Sequence, residues 1–170
     1  MFFDSALSFF QSLVGQYGLL GVFLAALACN ATIFIPIPFE ILLFALAASG
    51  QFFLPALVLA SAFGAALGEI SSYLVGWGGK SLMEKTGAKH VKQWHDAVKK
   101  VESKGMAAIV LLAFIPFLPF DLVALAAGYV RFNFSKYFVA SLIGKIARYS
   151  LVALAGFYGV QIVQQLWAAL

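Results

Sequence analysis

Two apolar stretches, each broken by a pair of prolines and closed by an acid, constrain this chain more than any other feature. Phe34-Ile35-Pro36-Ile37-Pro38-Phe39-Glu40 is answered by Phe114-Ile115-Pro116-Phe117-Leu118-Pro119-Phe120-Asp121, and each continues into another apolar run. The correspondence persists downstream, where Ser61 and Gly64 answer Ser141 and Gly144, and Gly76 answers Gly156. Proline lacks a backbone donor and disfavours helix in the residue before it, so each pair interrupts a helix. In lipid the backbone groups freed there must be buried in protein or face a wet cavity. A proline-broken apolar segment at corresponding places in two halves is the sequence mark of a transport site near the membrane midplane.

The remaining composition supports a membrane setting. Of 170 residues, 63% are hydrophobic and only 11% charged, with a mean hydropathy of +0.96. A soluble domain this short could not bury that much apolar surface, and the length suits one membrane domain. The single cysteine, Cys29, excludes an internal disulfide or a cysteine-cluster metal site and reads as a packing residue. His90 and His95, five apart, lack the spacing for a shared metal on a helix, so neither metal nor cofactor is expected. The net charge of +4 is not a nucleic-acid signature. No Lys or Arg precedes Lys80, seven lysines fall between Lys80 and Lys104, and Arg131 and Lys136 follow. The positive-inside rule makes residues 78–105 cytoplasmic in a multi-pass chain. The lack of a basic N-terminal region argues against a cleaved signal peptide.

Leu19 to Thr32 and Ile41 to Ser49 flank the first break, and neither arm alone spans a hydrocarbon core of roughly 30 Å. They predict a re-entrant hairpin turning at Pro36 and Pro38, with a kinked transmembrane helix as the alternative. Met106 to Tyr129 repeats the pattern about Pro116 and Pro119. Leu54 to Gly76 and Tyr137 to Tyr158 read as full spans. The first has a small residue at every fourth position, a strip that lets another backbone approach. Phe2 to Val14 predicts an interfacial helix capped near Asp4 or Ser5. Val91, Trp94, Val98 and Val101 form an apolar stripe opposite Lys92, Lys99 and Lys100, which predicts a second such helix on the anionic inner leaflet. Each half then crosses the membrane once, so the second enters from the opposite face. The expected fold is an all-α polytopic membrane protein of two inverted repeats, each an interfacial helix, a re-entrant hairpin and a transmembrane helix. Repeat one covers about 1–77, the amphipathic linker 78–105, repeat two 106–158, and the end of the C-terminal helix 159–170.

Glu40, Glu69, Asp121, Lys145 and Arg148 fall where lipid should be. Each costs roughly 2.5–3.5 kcal/mol at a helix centre unless paired or hydrated. Glu69 is expected to form a structural ion pair with Lys145 or Arg148. Glu40 and Asp121 follow a proline at equivalent positions, where a carboxylate caps the first helical turn or titrates as a proton- or ion-coupling group. Lys145 and Arg148, three apart on one helical face, suit a phosphate head group or neutralise the acids. No catalytic residue is expected, although an intramembrane hydrolase using Glu40 and Asp121 remains an alternative.

The doubled proline–acid motif resembles that of the DedA (VTT-domain) superfamily, and Gly144-Lys145-Ile146-Ala147-Arg148-Tyr149 is similar to its YqaA-like branch. The resemblance spans roughly residues 30 to 157. It implies paired re-entrant hairpins, an inner-membrane or organelle-membrane location, and movement of lipids as a scramblase or a flippase of polyprenyl-phosphate carriers linked to the proton-motive force. It matches Glu40 to the essential acid of the first hairpin and Asp121 to the acid of the second. Where the family carries two arginines around the second proline motif, this chain has Ala113 at the first place and none at the second. Lys145 and Arg148 are the bases available to replace them. The expected partners are membrane lipids, polyprenyl phosphate among them, with a homo-oligomer compatible and no nucleic acid. A non-transporting membrane scaffold for envelope homeostasis and a transporter of a small cation or drug are the competing readings.

Overall fold

The computed structural model describes residues 2–31, 39–79, 92–115 and 120–168. Among them all regular structure is helical and no strand occurs. The helices are α1 (Phe2–Tyr17), α2 (Leu19–Ala31), α3 (Phe39–Ala48), α4 (Leu54–Gly68), α5 (Ile70–Trp77), α6 (Lys92–Phe114), α7 (Phe120–Tyr129) and α8 (Phe134–Ala168). The four prolines expected at the hairpin turns, Pro36, Pro38, Pro116 and Pro119, lie outside the described residues. So does much of the basic stretch after Gly79. Helix α1 begins at Phe2, so Asp4 and Ser5 fall within its first turn.

Local sequence sets where the helices stop. Gly18 (φ 57°) separates α1 from α2, and Gly105 (φ 53°) kinks α6 at the corresponding place. A side chain at either position would strain a left-handed backbone. The kink at Gly105 sets off residues 92–104 from the apolar arm that follows. Val101 is buried and Val98 half-buried against the core, while Lys99 and Lys100 are exposed. At the end of α7 the left-handed residue is Arg131 (φ 53°). The Phe132 N–H donates to the Ala127 carbonyl and the Arg131 N–H to that of Gly128, a Schellman closure. The Arg131 guanidinium lies 5.6 Å from the centre of the Trp77 ring. Helix α8 is capped by Asn133, whose Oδ1 accepts from the Lys136 N–H at 3.0 Å.

Among the described residues two helical stretches are long and apolar enough to cross a membrane, Leu54–Trp77 and Phe134–Gly159. The first comprises α4 and α5, which meet at Glu69. There the backbone slackens (ψ −10°), but the Glu69 N–H still reaches the Ala65 carbonyl and the Tyr73 N–H reaches that of Glu69. Helices α2, α3 and α7, of 13, 10 and 10 residues, are too short to cross alone.

Two pairs of close contacts correspond between the halves of the chain. A Cβ on Gly64 would meet the Phe23 carbonyl and the Ala26 side chain; one on Gly144 would meet the Val110 carbonyl and the Ala113 side chain. A Cβ on Gly76 would overlap the Leu125 carbonyl, and one on Gly156 that of Phe44. These two α4–α5 contacts map onto the two α8 contacts by a shift of 80 in the long helices (64 to 144), 87 in the arms before the proline breaks (23 to 110) and 81 in the arms after them (44 to 125). Each long helix thus packs its first part on its own half and its last part on the other. The two apolar clusters show the same exchange: Tyr73 of α5 sits among the second-half residues, and Tyr149 and Ala153 of α8 among those of the first. Large side chains such as Phe53, Ile41, Leu111 and Leu151 stay outside on the surface.

Candidate functional site

The polar interior is organised by one face of α8. Ser141, Lys145, Arg148 and Tyr149 recur at helical spacing and are all buried. Each turn of that face meets a different helix. The Ser141 hydroxyl donates to Glu69 Oε2 at 3.1 Å, while Lys145 Nζ lies 2.6 Å from Glu69 Oε1. Both ion-pair partners are only 2% exposed. Lys145 also reaches Asn30 Oδ1 of α2 at 3.5 Å, and the Asn30 amide donates back to the Ala26 carbonyl at 2.8 Å. Two rings flank the ammonium, Phe120 with its centroid at 5.4 Å and Tyr149 at 5.7 Å. A cation there gains from ring quadrupoles as well as from its carboxylate. Tyr149 in turn packs against Phe39, the first residue of α3.

Arg148 turns elsewhere. Its guanidinium pairs with Glu40 in the first turn of α3. The Glu40 side chain is 27% exposed, and Arg148 Nε has no hydrogen-bond partner among the described residues. Asp121 stands in the first turn of α7 and accepts a hydrogen bond from the Ser72 hydroxyl of α5 at 2.9 Å. Among the described residues no Lys or Arg lies at ion-pair distance from it.

The five ionisable residues expected in lipid therefore gather around α8, but Lys145 and Arg148 do not share one partner. Glu69 takes Lys145, Glu40 takes Arg148, and Asp121 takes a hydroxyl. Asn30, Ser72, Ser141 and Tyr149 complete the site without having been assigned roles in it from sequence. Asn30 carried a signal, as the only amide in an otherwise apolar arm. The serines did not, because a small residue on a packed strip looks the same whether or not its hydroxyl is used. Among the described residues no group of His, Cys, Asp and Glu could hold a metal ion. Cys29 is buried, as its apolar surroundings predict.

An apolar helical shell around a charged, largely buried interior defines a membrane protein whose polar residues face each other rather than lipid. The VTT domain family matches residues 35–158, well over half of the chain, and the chain belongs to that family, the DedA family. The family is membrane-associated and transport-related. No curated protein and no solved structure matches the chain.

Proposed function

We propose that this protein is a multi-pass inner-membrane transporter that moves a lipid or lipid-linked phosphate, in the manner of a flippase or scramblase and with proton coupling. The carrying observation is the Arg148–Glu40 pair, a buried guanidinium held by a partly exposed acid and retaining an unused Nε donor. A phosphate that replaced Glu40 would find a planar, multidentate donor, with the Lys145 charge one helical turn away. A proton on Asp121 would lower the negative charge around Lys145 and favour entry of the anion, and loss of that proton would favour its release. The two corresponding pairs of close contacts support an inverted repeat. The short α2–α3 and α6–α7 arms support re-entrant hairpins that do not cross. Polyprenyl phosphate and membership of the YqaA-like branch belong to the same reading, which needs no enzymatic step.

The test is reconstitution in vesicles carrying a fluorescent phospholipid on one leaflet. Wild-type protein should redistribute it at a pH-dependent rate, and Arg148→Gln should abolish the movement. Equal movement of a phosphate-free neutral lipid by the Arg148→Gln variant would refute the receptor role. The near-complete burial of Glu69 and Lys145 favours a second reading, a non-transporting scaffold whose charges serve only packing. No redistribution by wild-type protein at any pH would favour it.

A further inference from the structure

The two halves match in their close contacts but not in their charges. Glu40 and Asp121 hold equivalent places as the second residues of α3 and α7. At the offsets found for the other contacts, the counterpart of Arg148 is Gly68. It has no side chain, and a Cβ there would overlap the Leu27 carbonyl. The counterpart of Lys145 is Ala65, and that of Glu69 is Tyr149. Both bases therefore come from α8 and none from α4–α5. Three acids against two bases leave one formal negative charge, 3 − 2 = 1. Glu40 and Glu69 each have a base at ion-pair distance, so among the described residues the uncompensated acid is Asp121.

Its surroundings are few. From α4–α5 it faces Ser72 and the Glu69 carboxylate. From α8 it feels Lys145 and Tyr137. Helix α6 offers no ionisable side chain between Met106 and Phe114. Lys145 is already committed to Glu69 at 2.6 Å, which leaves the Ser72 hydroxyl as the direct partner of Asp121 among the described residues.

We propose that the exchangeable proton of this centre resides on Asp121 and that Ser72 is the positioning residue for that carboxyl, while Glu40 stays clamped to Arg148 until an anion replaces it. This rests on the transport reading and deepens it by giving equivalent acids different jobs. One proton from water on an Asp121 oxygen brings the buried group to neutrality. The hydroxyl favours the ionised form, so Ser72 governs how readily that proton leaves.

Infrared difference spectroscopy of the purified full-length protein, titrated with acid, reads the carbonyl stretch of a protonated carboxyl whether or not lipid is moved. The titrating band should shift when aspartate in the wild-type chain is labelled with carbon-13, which requires no substitution at the site. It should be missing from Asp121→Asn and retained in Glu40→Gln. Ser72→Ala should raise its midpoint by about one pH unit, the equivalent of one hydrogen bond to a charged group. Ser72→Thr, which keeps the hydroxyl, should restore the midpoint. A band unmoved by aspartate labelling, or a midpoint unchanged in Ser72→Ala, would overturn the assignment. A titrating Asp121 in a protein that redistributes no lipid would sustain it and overturn the transport reading alone.

Discussion

Replacing Glu69 by Gln removes the charge of one member of a buried ion pair while nearly preserving its shape. The 2.6 Å pair has both side chains 2% exposed, so the Lys145 ammonium would lose its counter-ion where water cannot replace it. Breaking such a pair on one side costs about 3–5 kcal/mol. Lys145 keeps the Asn30 oxygen at 3.5 Å and the faces of Phe120 and Tyr149, which places the expected loss near the lower bound, at about 3 kcal/mol. At roughly 2–4 °C per kcal/mol for a chain of this size, the unfolding midpoint should fall by about 6–12 °C. The assay is thermal unfolding in detergent followed by tryptophan fluorescence, alongside Lys145→Met and the double variant. The double variant should recover most of the loss, because an apolar replacement of both partners leaves no orphan charge. Glu40→Gln should cost less, because the Glu40 side chain is 27% exposed whereas that of Glu69 is 2% exposed. Strictly additive losses in the double variant, or a larger loss for Glu40→Gln than for Glu69→Gln, would refute the division into a structural pair and a working one.

Two further outcomes follow from the packing and from the repeat. Gly76→Ala and Gly128→Ala should each destabilise by about 1–3 kcal/mol in the same assay, because the new methyl would overlap the Leu125 or Tyr73 carbonyl. Gly15→Ala, with nothing within 4 Å of the new methyl, should be neutral or stabilising. In a Cys29→Ser background, single cysteines at Gly50 and Lys104 should react with impermeant thiol reagents from opposite sides of the membrane. Labelling of both from the same side would exclude inverted repeats.

Where the chain breaks was written locally. Gly18, Gly50 and Gly105 permit the left-handed backbone at which helices end, and apolar run lengths separate arms from spans without knowledge of neighbours. The acids and bases were equally plain, because a charge in an apolar run is costly wherever the run packs. Which acid meets which base was not written there. Lys145 and Arg148, three residues apart, look like one receptor on an isolated helix. A helix advances about 5 Å per turn, however, and α8 crosses from its own half onto the other, so successive turns face different helices. Lys145 meets Glu69 and Asn30, and Arg148 meets Glu40. The doubled motif likewise presents Glu40 and Asp121 as equals. Only the exchanged packing of the long helices puts a guanidinium beside one and a hydroxyl beside the other, because the residues that distinguish them belong to the opposite half of the chain.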